Sequence, residues 1–321
     1  MIAVLRQRLP QLVTAGIFLL LFATAGWRYR GENFASAPNI ANLFISNGSL
    51  GIIAVGMTLV IFSGGIDLSV GAVAGFTNIL VAVLVEQHGV NPWAAMLLGL
   101  CLGTLFGAAM GAVIQVFKQP AFLVTLAGMF FARGCAFWIS TESIDFKNAT
   151  MVRLADYTVR VGGSTVHPLP AYVLLAVFAL GYVLAQHTRF GRNLLAIGGN
   201  EQSALLMGLP VGATKIAVYA LCGAGAALAG LVSTVITGGD STYGNGLELD
   251  AIATVVIGGT LLTGGRGHIF GTLCGLLIVG TIQSAISFDG TLSSWWTRIV
   301  TGALLLAFIL FQRLLLRLTQ Q

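Results

Sequence analysis

The chain has 321 residues, 56% of them hydrophobic and 8% charged, with mean hydropathy +0.91 and a formal net charge of +5. A soluble domain carries about 25% charge, so this chain cannot clothe itself for water, and its main solvent is lipid. Its basic residues are not interleaved with aromatics in a patch, which argues against nucleic acid as a partner.

A membrane helix needs roughly 20 apolar residues. The expected fold is therefore an all-α, polytopic membrane protein with about ten transmembrane helices, near 11–27, 43–63, 68–86, 93–117, 120–140, 169–186, 215–237, 249–264, 268–286 and 295–316. The whole of 1–321 reads as one transmembrane domain. In the first span, Arg6 and Arg8 precede an apolar run ending Ala23-Thr24-Ala25, a pattern like a signal-peptidase site. A retained anchor is the preferred reading, and cleavage would leave the orientation of the other spans unchanged. Glycines rather than charges border the third and eighth spans. Asp67, before the third, reads as its N-cap or as a contact that shifts when the protein changes state.

In the fourth span Gly99, Gly103, Gly107 and Gly111 recur every four residues, as do Gly267, Gly271 and Gly275 in the ninth. Such stripes let helix backbones meet closely, and packing is their expected role. Polar residues inside spans are few: Asn78, Gln115, Arg133 and Gln283. They are candidates to line a substrate path, or to bond a neighbouring helix. A charge in lipid costs at least a few kcal/mol, so Arg133 must face the protein interior or a wet cavity, or snorkel outward.

Loop 141–168 is long and polar, with Gly162-Gly163 and Pro168, and is expected to cap an outer opening. Loop 186–214 lies mid-chain and carries Arg189 and Arg192. Within it Asn200 can cap a short helix, Glu201–Met207, that Gly208 and Pro210 terminate. A two-turn helix there lacks a core to pack into; it is either a solvated connector or a surface that needs a partner. Further on, Ser63-GGIDLSVGAVAG and Thr263-GGRGHIFGTLCG share four glycines in register. Trp295 and Trp296 suit an aromatic belt at the outer interface.

Alternating the spans from an inward N-terminus puts Arg6, Arg8, Lys118, Arg189, Arg192, Lys215, Arg266, Arg313 and Arg317 on one side, against Asp67 and Glu201. The other side collects six basic residues against nine acids. By the positive-inside rule the first side is cytoplasmic, both termini face it, 186–214 is a cytoplasmic loop and 141–168 a periplasmic one.

Catalytic motifs are missing: there is no GxxxxGK[ST], HExxH or GxSxG. The four cysteines show no CxxC spacing, and they and the four histidines are scattered, so no metal, disulfide or cofactor is expected. Ion-coupled transporters usually keep a carboxylate deep in a span. The nearest here, Asp67, is placed at the cytoplasmic border, so an external energy source is expected.

GIIAVGMTLVIFSGGIDLSVGAV (51–73), PAFLVTLAGMFFARG (120–134), TRFGRNLLAIGGNEQSALLMGLPV (188–211) and ELDAIATVVIGGTLLTGGRGHIFGTLCG (248–275) resemble permease subunits of bacterial ABC importers for monosaccharides, of the ribose, xylose and galactofuranose type. SFDGTLSSWW (287–296) looks most like the galactofuranose permease. The resemblance implies residence in a bacterial inner membrane. It also implies three partners: a cytosolic ATP-binding subunit, a periplasmic sugar-binding protein and a second permease, homologous or identical. The short helix then corresponds to a coupling helix, and the ATPase-coupling role falls on Gly191, Arg192, Gly198, Asn200, Glu201 and Gly208. The alternative class is an ion-coupled sugar symporter; an integral-membrane enzyme or a passive pore fits the residues less well.

Overall fold

The computed structural model describes residues 2–291, 293 and 295–319, without the side chains of 2–11, 309 and 311–319. Arg6, Arg8, Arg313 and Arg317, counted above toward the cytoplasmic side, have side chains outside that set. In chain order the helices are α1 Ile2–Arg28, α2 Ala37–Ser46, α3 Gly48–Phe62, α4 Val70–Glu86, α5 Pro92–Val116, α6 Ala121–Ile139, α7 Ala149–Ala155, α8 Leu169–His187, α9 Arg189–Gly199, α10 Glu201–Leu206, α11 Val211–Thr237, α12 Leu247–Ile257, α13 Ile269–Asp289 and α14 Trp295–Thr319. Two short strands, β1 Val159–Val161 and β2 Ser164–Val166, form an antiparallel hairpin in the 141–168 loop. Gly162 (φ 55°) and Gly163 (φ 87°) make its turn, because both positions require the left-handed region. The all-α expectation thus holds apart from this hairpin.

Among the described residues five helices, α5, α6, α8, α11 and α13, are each long and apolar enough to cross a membrane, and the pair α2–α3, bent by 54°, makes a sixth when taken as one span. The bend sits at Asn47. Its Nδ2 donates to Leu43 O (2.9 Å), taking a carbonyl that a continued helix would give to a backbone N–H. The eighth expected span, 249–264, departs from expectation. Its helix α12 has 11 residues, about 16 Å at 1.5 Å per residue, half the ~30 Å hydrocarbon thickness. Residues 258–268 beyond it are irregular.

The centre of the bundle is α3, buried at every position but Ser49 and enclosed by α8, α11, α12 and α13. A helix apolar all round belongs in such a position. Both glycine stripes pack helices. Added Cβ atoms on Gly103 and Gly107 would strike the Gly223 and Tyr219 carbonyls of α11, and those on Gly271 and Gly275 the Gly258 and Thr254 carbonyls beside α12. Exposed Leu105, Phe122, Phe130, Phe131 and Trp138 on α5 and α6 face outward, as lipid contact requires.

Loops that alternate in sequence gather at opposite ends. At one, the Gly265 N–H donates to Phe62 O (3.1 Å) and Gly64 approaches Gly198, uniting 63–69, 198–200 and 258–268. At the other, Ile144 pairs with Gly239, the Asn148 N–H donates to Glu86 Oε1 (2.8 Å) and Tyr29 Oη donates to Asp289 Oδ2 (3.2 Å). We term these the inner and outer ends. The two glycine-rich echoes, 63–75 and 263–275, therefore meet in space, their loops interlocked at the inner end.

Candidate functional site

At the inner end α9 and α10 form the 186–214 loop. Thr188 Oγ1 accepts from the Gly191 N–H (3.3 Å), and a side chain at Gly191 would run into the Ala185 carbonyl, so the tight turn from α8 needs glycine there. Asn200 Oδ1 accepts from the Ser203 N–H (2.8 Å), the capping bond expected of it. The helix it starts ends at Leu206, one residue earlier than expected, and Gly208 (φ 75°) turns the chain out of it. Glu201 Oε2 accepts from Lys215 Nζ at 2.6 Å, tying α10 to the foot of α11.

Contrary to expectation, α10 has a small core of its own. Ile197, Ala204 and Val211 are buried together with Leu209 packed on them. Its far face is bare: Leu206 is 90% exposed, Met207 67% and Leu205 50%. Arg189 and Arg192 are exposed nearby on α9. Gly198 reaches back into the bundle, where an added Cβ would lie 2.5 Å from the Gly265 nitrogen and strike the Phe62 carbonyl.

A second site lies at mid-depth. Gly103, near the middle of the 25-residue α5, faces Val73, so the first turns of α4 sit halfway through the bundle. Residues 238–246, GGDSTYGNG, descend along α4 from the outer end. Gly239 abuts Ala82, Tyr243 O abuts Gly75 and Gly244 abuts Gly71. Polar backbone at membrane depth must find partners within the protein. Asn78 supplies two: its Oδ1 accepts from the Asp240 N–H (2.6 Å) and its Nδ2 donates to Gly238 O (3.2 Å). Arg133 Nη1 donates to Ser241 O (2.8 Å) and Tyr243 O (2.7 Å). Two charge-assisted bonds to buried carbonyls offset much of the cost of Arg133 at this depth. Glu248, in the first turn of α12, lies against Gly71. Thr242 and Asn245 are exposed at the same level, and Arg133, Tyr243 and Glu248 are half-buried.

The path candidates thus separate. Arg133 belongs to the mid-depth site, and Asn78, fully buried, clamps it from behind. Gln115 lies at the inner end of α5 against Gly212, remote from it, and Gln283 is half-buried on α13 and bonds none of these groups. Among the described residues Asp67 is also misplaced by the sequence reading. It is fully buried beside Gly65 and Ser69, close to Tyr219 and Cys222, about 12 Å inside the foot of α11. Its Oδ1 accepts from the Ser69 N–H (2.9 Å) and Oγ (2.7 Å), just ahead of α4. Glu248 and the 238–246 run escaped the sequence reading. The available signal was a polar, glycine-rich stretch beside an expected span bordered by glycines.

Broken helices meeting at mid-depth, a polar half-open segment there and a protruding inner helix define a membrane transport protein. Residues 39–309 match the family described as branched-chain amino acid transport system / permease component. The chain belongs to this permease family. It is 47% identical over 310 residues to the inner membrane ABC transporter permease protein YjfF of Escherichia coli K12, covering 96% of this chain and 93% of that one. It is 38% identical over 316 residues to the fructose import permease protein FruG of Bifidobacterium longum (96% and 92% covered), and 38% over 302 residues to the ribose import permease protein RbsC of Bacillus subtilis (93% and 91%). No solved structure matches.

Proposed function

We propose that this chain is the translocating subunit of an ATP-driven monosaccharide importer of a bacterial inner membrane. One observation carries the reading. The inner loop ends in a helix fixed to the bundle by its own small core, the Glu201–Lys215 pair and Gly198, while Leu205, Leu206 and Met207 stand free. A bare apolar tip on a braced lever suits docking into a cytosolic ATP-binding subunit, which supplies the energy source the chain lacks. Gly191, Arg192, Gly198, Asn200, Glu201 and Gly208 shape or present that lever. The single permease domain, 1–321, crosses the membrane about ten times with both termini cytoplasmic.

The mid-depth segment supports the other partners. Asn245 is exposed where lipid would leave its amide unsatisfied, and Thr242, bonded to Asp240 Oδ1 (2.8 Å), is exposed beside it. They face a passage completed by a second permease, identical or homologous, into which a periplasmic binding protein releases sugar under the cap formed by 141–168. Relatives named for ribose and fructose import favour a monosaccharide, and the 287–296 segment favours galactofuranose. The competing ion-coupled symporter draws support from the depth of Asp67, which is sealed from the polar segment rather than part of it.

Proteoliposomes holding the permeases, their ATPase and the binding protein test both readings. Uptake that needs ATP and ignores proton and sodium gradients is expected; uptake by the permease alone on an ion gradient would refute the import reading. Calorimetry on the copurified binding protein identifies the sugar, with galactofuranose as the expected ligand.

A further inference from the structure

Two opposite charges face one flank of α4. A Cβ on Gly71 would touch Glu248 Oε2, and one on Gly75 would lie 2.7 Å from Arg133 Nη1. Positions four apart on a helix hold their Cβ atoms about 6 Å apart. Each group feels the other's charge, yet among the described residues they close no salt bridge. Arg133 has five N–H donors, and the two on Nη1 go to Ser241 O and Tyr243 O. No described residue takes the donors on Nη2 and Nε. Glu248 likewise has no ion-pair partner among the described residues. Both are half-buried and therefore reachable, with exposed Thr242 and Asn245 alongside.

We propose that Arg133 and Glu248 form a hydroxyl-binding pair that selects an uncharged polyol inside the permease itself. Arg133 and Glu248 lie against positions one helical turn apart on α4, and one hydroxyl can serve both, accepting from a guanidinium N–H at about 2.9 Å and donating to a carboxylate at about 2.7 Å. Only a group that donates and accepts at once satisfies both sides. The carboxylate of a sugar acid or a sugar phosphate would gain Arg133 but meet Glu248 and Asp240 as like charges, the two acids whose fields reach that guanidinium. Arg133 holds the 241–243 backbone with one nitrogen and offers the others to substrate. Among the described residues Glu248 bonds only the backbone of its own helix terminus, at Gly246 and Glu248, and a carboxylate has acceptor sites left over for a ligand. Gly71 and Gly75 let the 243–244 backbone and both charged groups lie directly on α4, since a side chain at either would strike Gly244 O or Tyr243 O.

The inference rests on the transport reading, and its test separates the two. Tritiated ribose, fructose and galactose are bound to the purified permease–ATPase complex without the binding protein, with galacturonate as competitor. The wild-type complex is expected to bind at least one neutral sugar and to ignore galacturonate. Glu248→Gln keeps the side chain's size and an oxygen that can accept from the α12 terminus; it is expected to weaken that binding about tenfold or more and to let galacturonate compete, with thermal melting of the complex to report any loss of that terminal bond. Glu248→Asp retains the charge and restores most of the affinity. Arg133→Gln weakens binding as well, with thermal melting of the complex to report any loss of the 241–243 anchor. If ATP-driven uptake proceeds while Glu248→Gln binds sugar like wild type, or while the wild-type complex binds none of the three, the selection site falls and the importer stands. If ATP-driven uptake itself fails in the wild type, the transport reading falls first.

Discussion

Leu206 is the sharpest place to test the lever. At 90% exposure it contributes almost nothing to the fold, while its neighbour Ala204 is fully buried in the loop's small core. Burying a leucine side chain in a partner's groove stabilises a complex by about 1.5–3 kcal/mol, and about 1.4 kcal/mol is a factor of ten in affinity. Leu206→Asp forfeits that burial and adds a carboxylate to be desolvated, so the ATPase should bind the solubilised permease at least ~10-fold, and up to ~100-fold, more weakly. Surface plasmon resonance with the immobilised permease measures this directly. The thermal midpoint of the isolated permease should not move, whereas Ala204→Asp, which buries a charge, should lower it. If Leu206→Asp binds the ATPase within twofold of wild type, the exposed tip is not the docking surface and the lever argument fails.

Three further outcomes are expected. Asn78→Ala strands the Asp240 N–H and the Gly238 carbonyl, at a cost of about 1–3 kcal/mol; the thermal midpoint in detergent should fall, and an unchanged midpoint would show that segment 238–246 is held by other means. Glu201→Gln removes the 2.6 Å pair with Lys215, whose side chains are 38% and 16% exposed. With screening, the loss should be within ~1 kcal/mol and should shrink in 1 M salt; a loss that persists at high salt would contradict a surface ion pair. Gly198→Ala forces the Phe62 carbonyl and the Gly265 N–H apart. ATPase binding should survive because Leu205–Met207 are untouched, while sugar uptake per ATP hydrolysed should drop severalfold; unchanged stoichiometry would show that this contact does not transmit.

The apolar spans were readable because lipid imposes one rule, roughly 20 apolar residues per crossing, and sequence composition states it directly. The Asn200 cap and the Gly208 stop were readable because they are local, set by side-chain reach over three residues. Long-range packing was not. Asp67 looks peripheral along the chain, since it follows an apolar run and a glycine pair. In space the 63–69 loop folds back beneath α11, which buries it beside Gly65 and Tyr219. The eighth span failed for a related reason. Residues 249–264 are apolar enough, but Gly258 and Gly259 break the helix after 11 residues, and the apolar remainder is a loop wedged against α3. Glu248 resembled a loop-edge acid because the polar run before it reads as an outer loop. Only its descent along the glycine face of α4 brings it opposite Arg133.

That descent places backbone contacts between the two ends of the proposed mechanism. Gly198 touches Gly64 and Gly264 with no side chain between them. The first of those loops leads through 65–69 into α4, whose Gly71 and Gly75 pack against the 243–244 backbone, Glu248 and Arg133. The second is the continuation of α12, whose first turn carries Glu248. On the proposed mechanism a displacement of α9 would act on the surroundings of both Glu248 and Arg133, since close-packed backbone has little slack in which to absorb it. Side chains in the joint would hop rotamers and dissipate a small shift; glycines in contact pass it on. This is why the AIGGN, SGGIDLS and TGGRGH stretches need glycine at their meeting point, and why one methyl group at position 198 should separate ATP hydrolysis from sugar movement without loosening the ATPase.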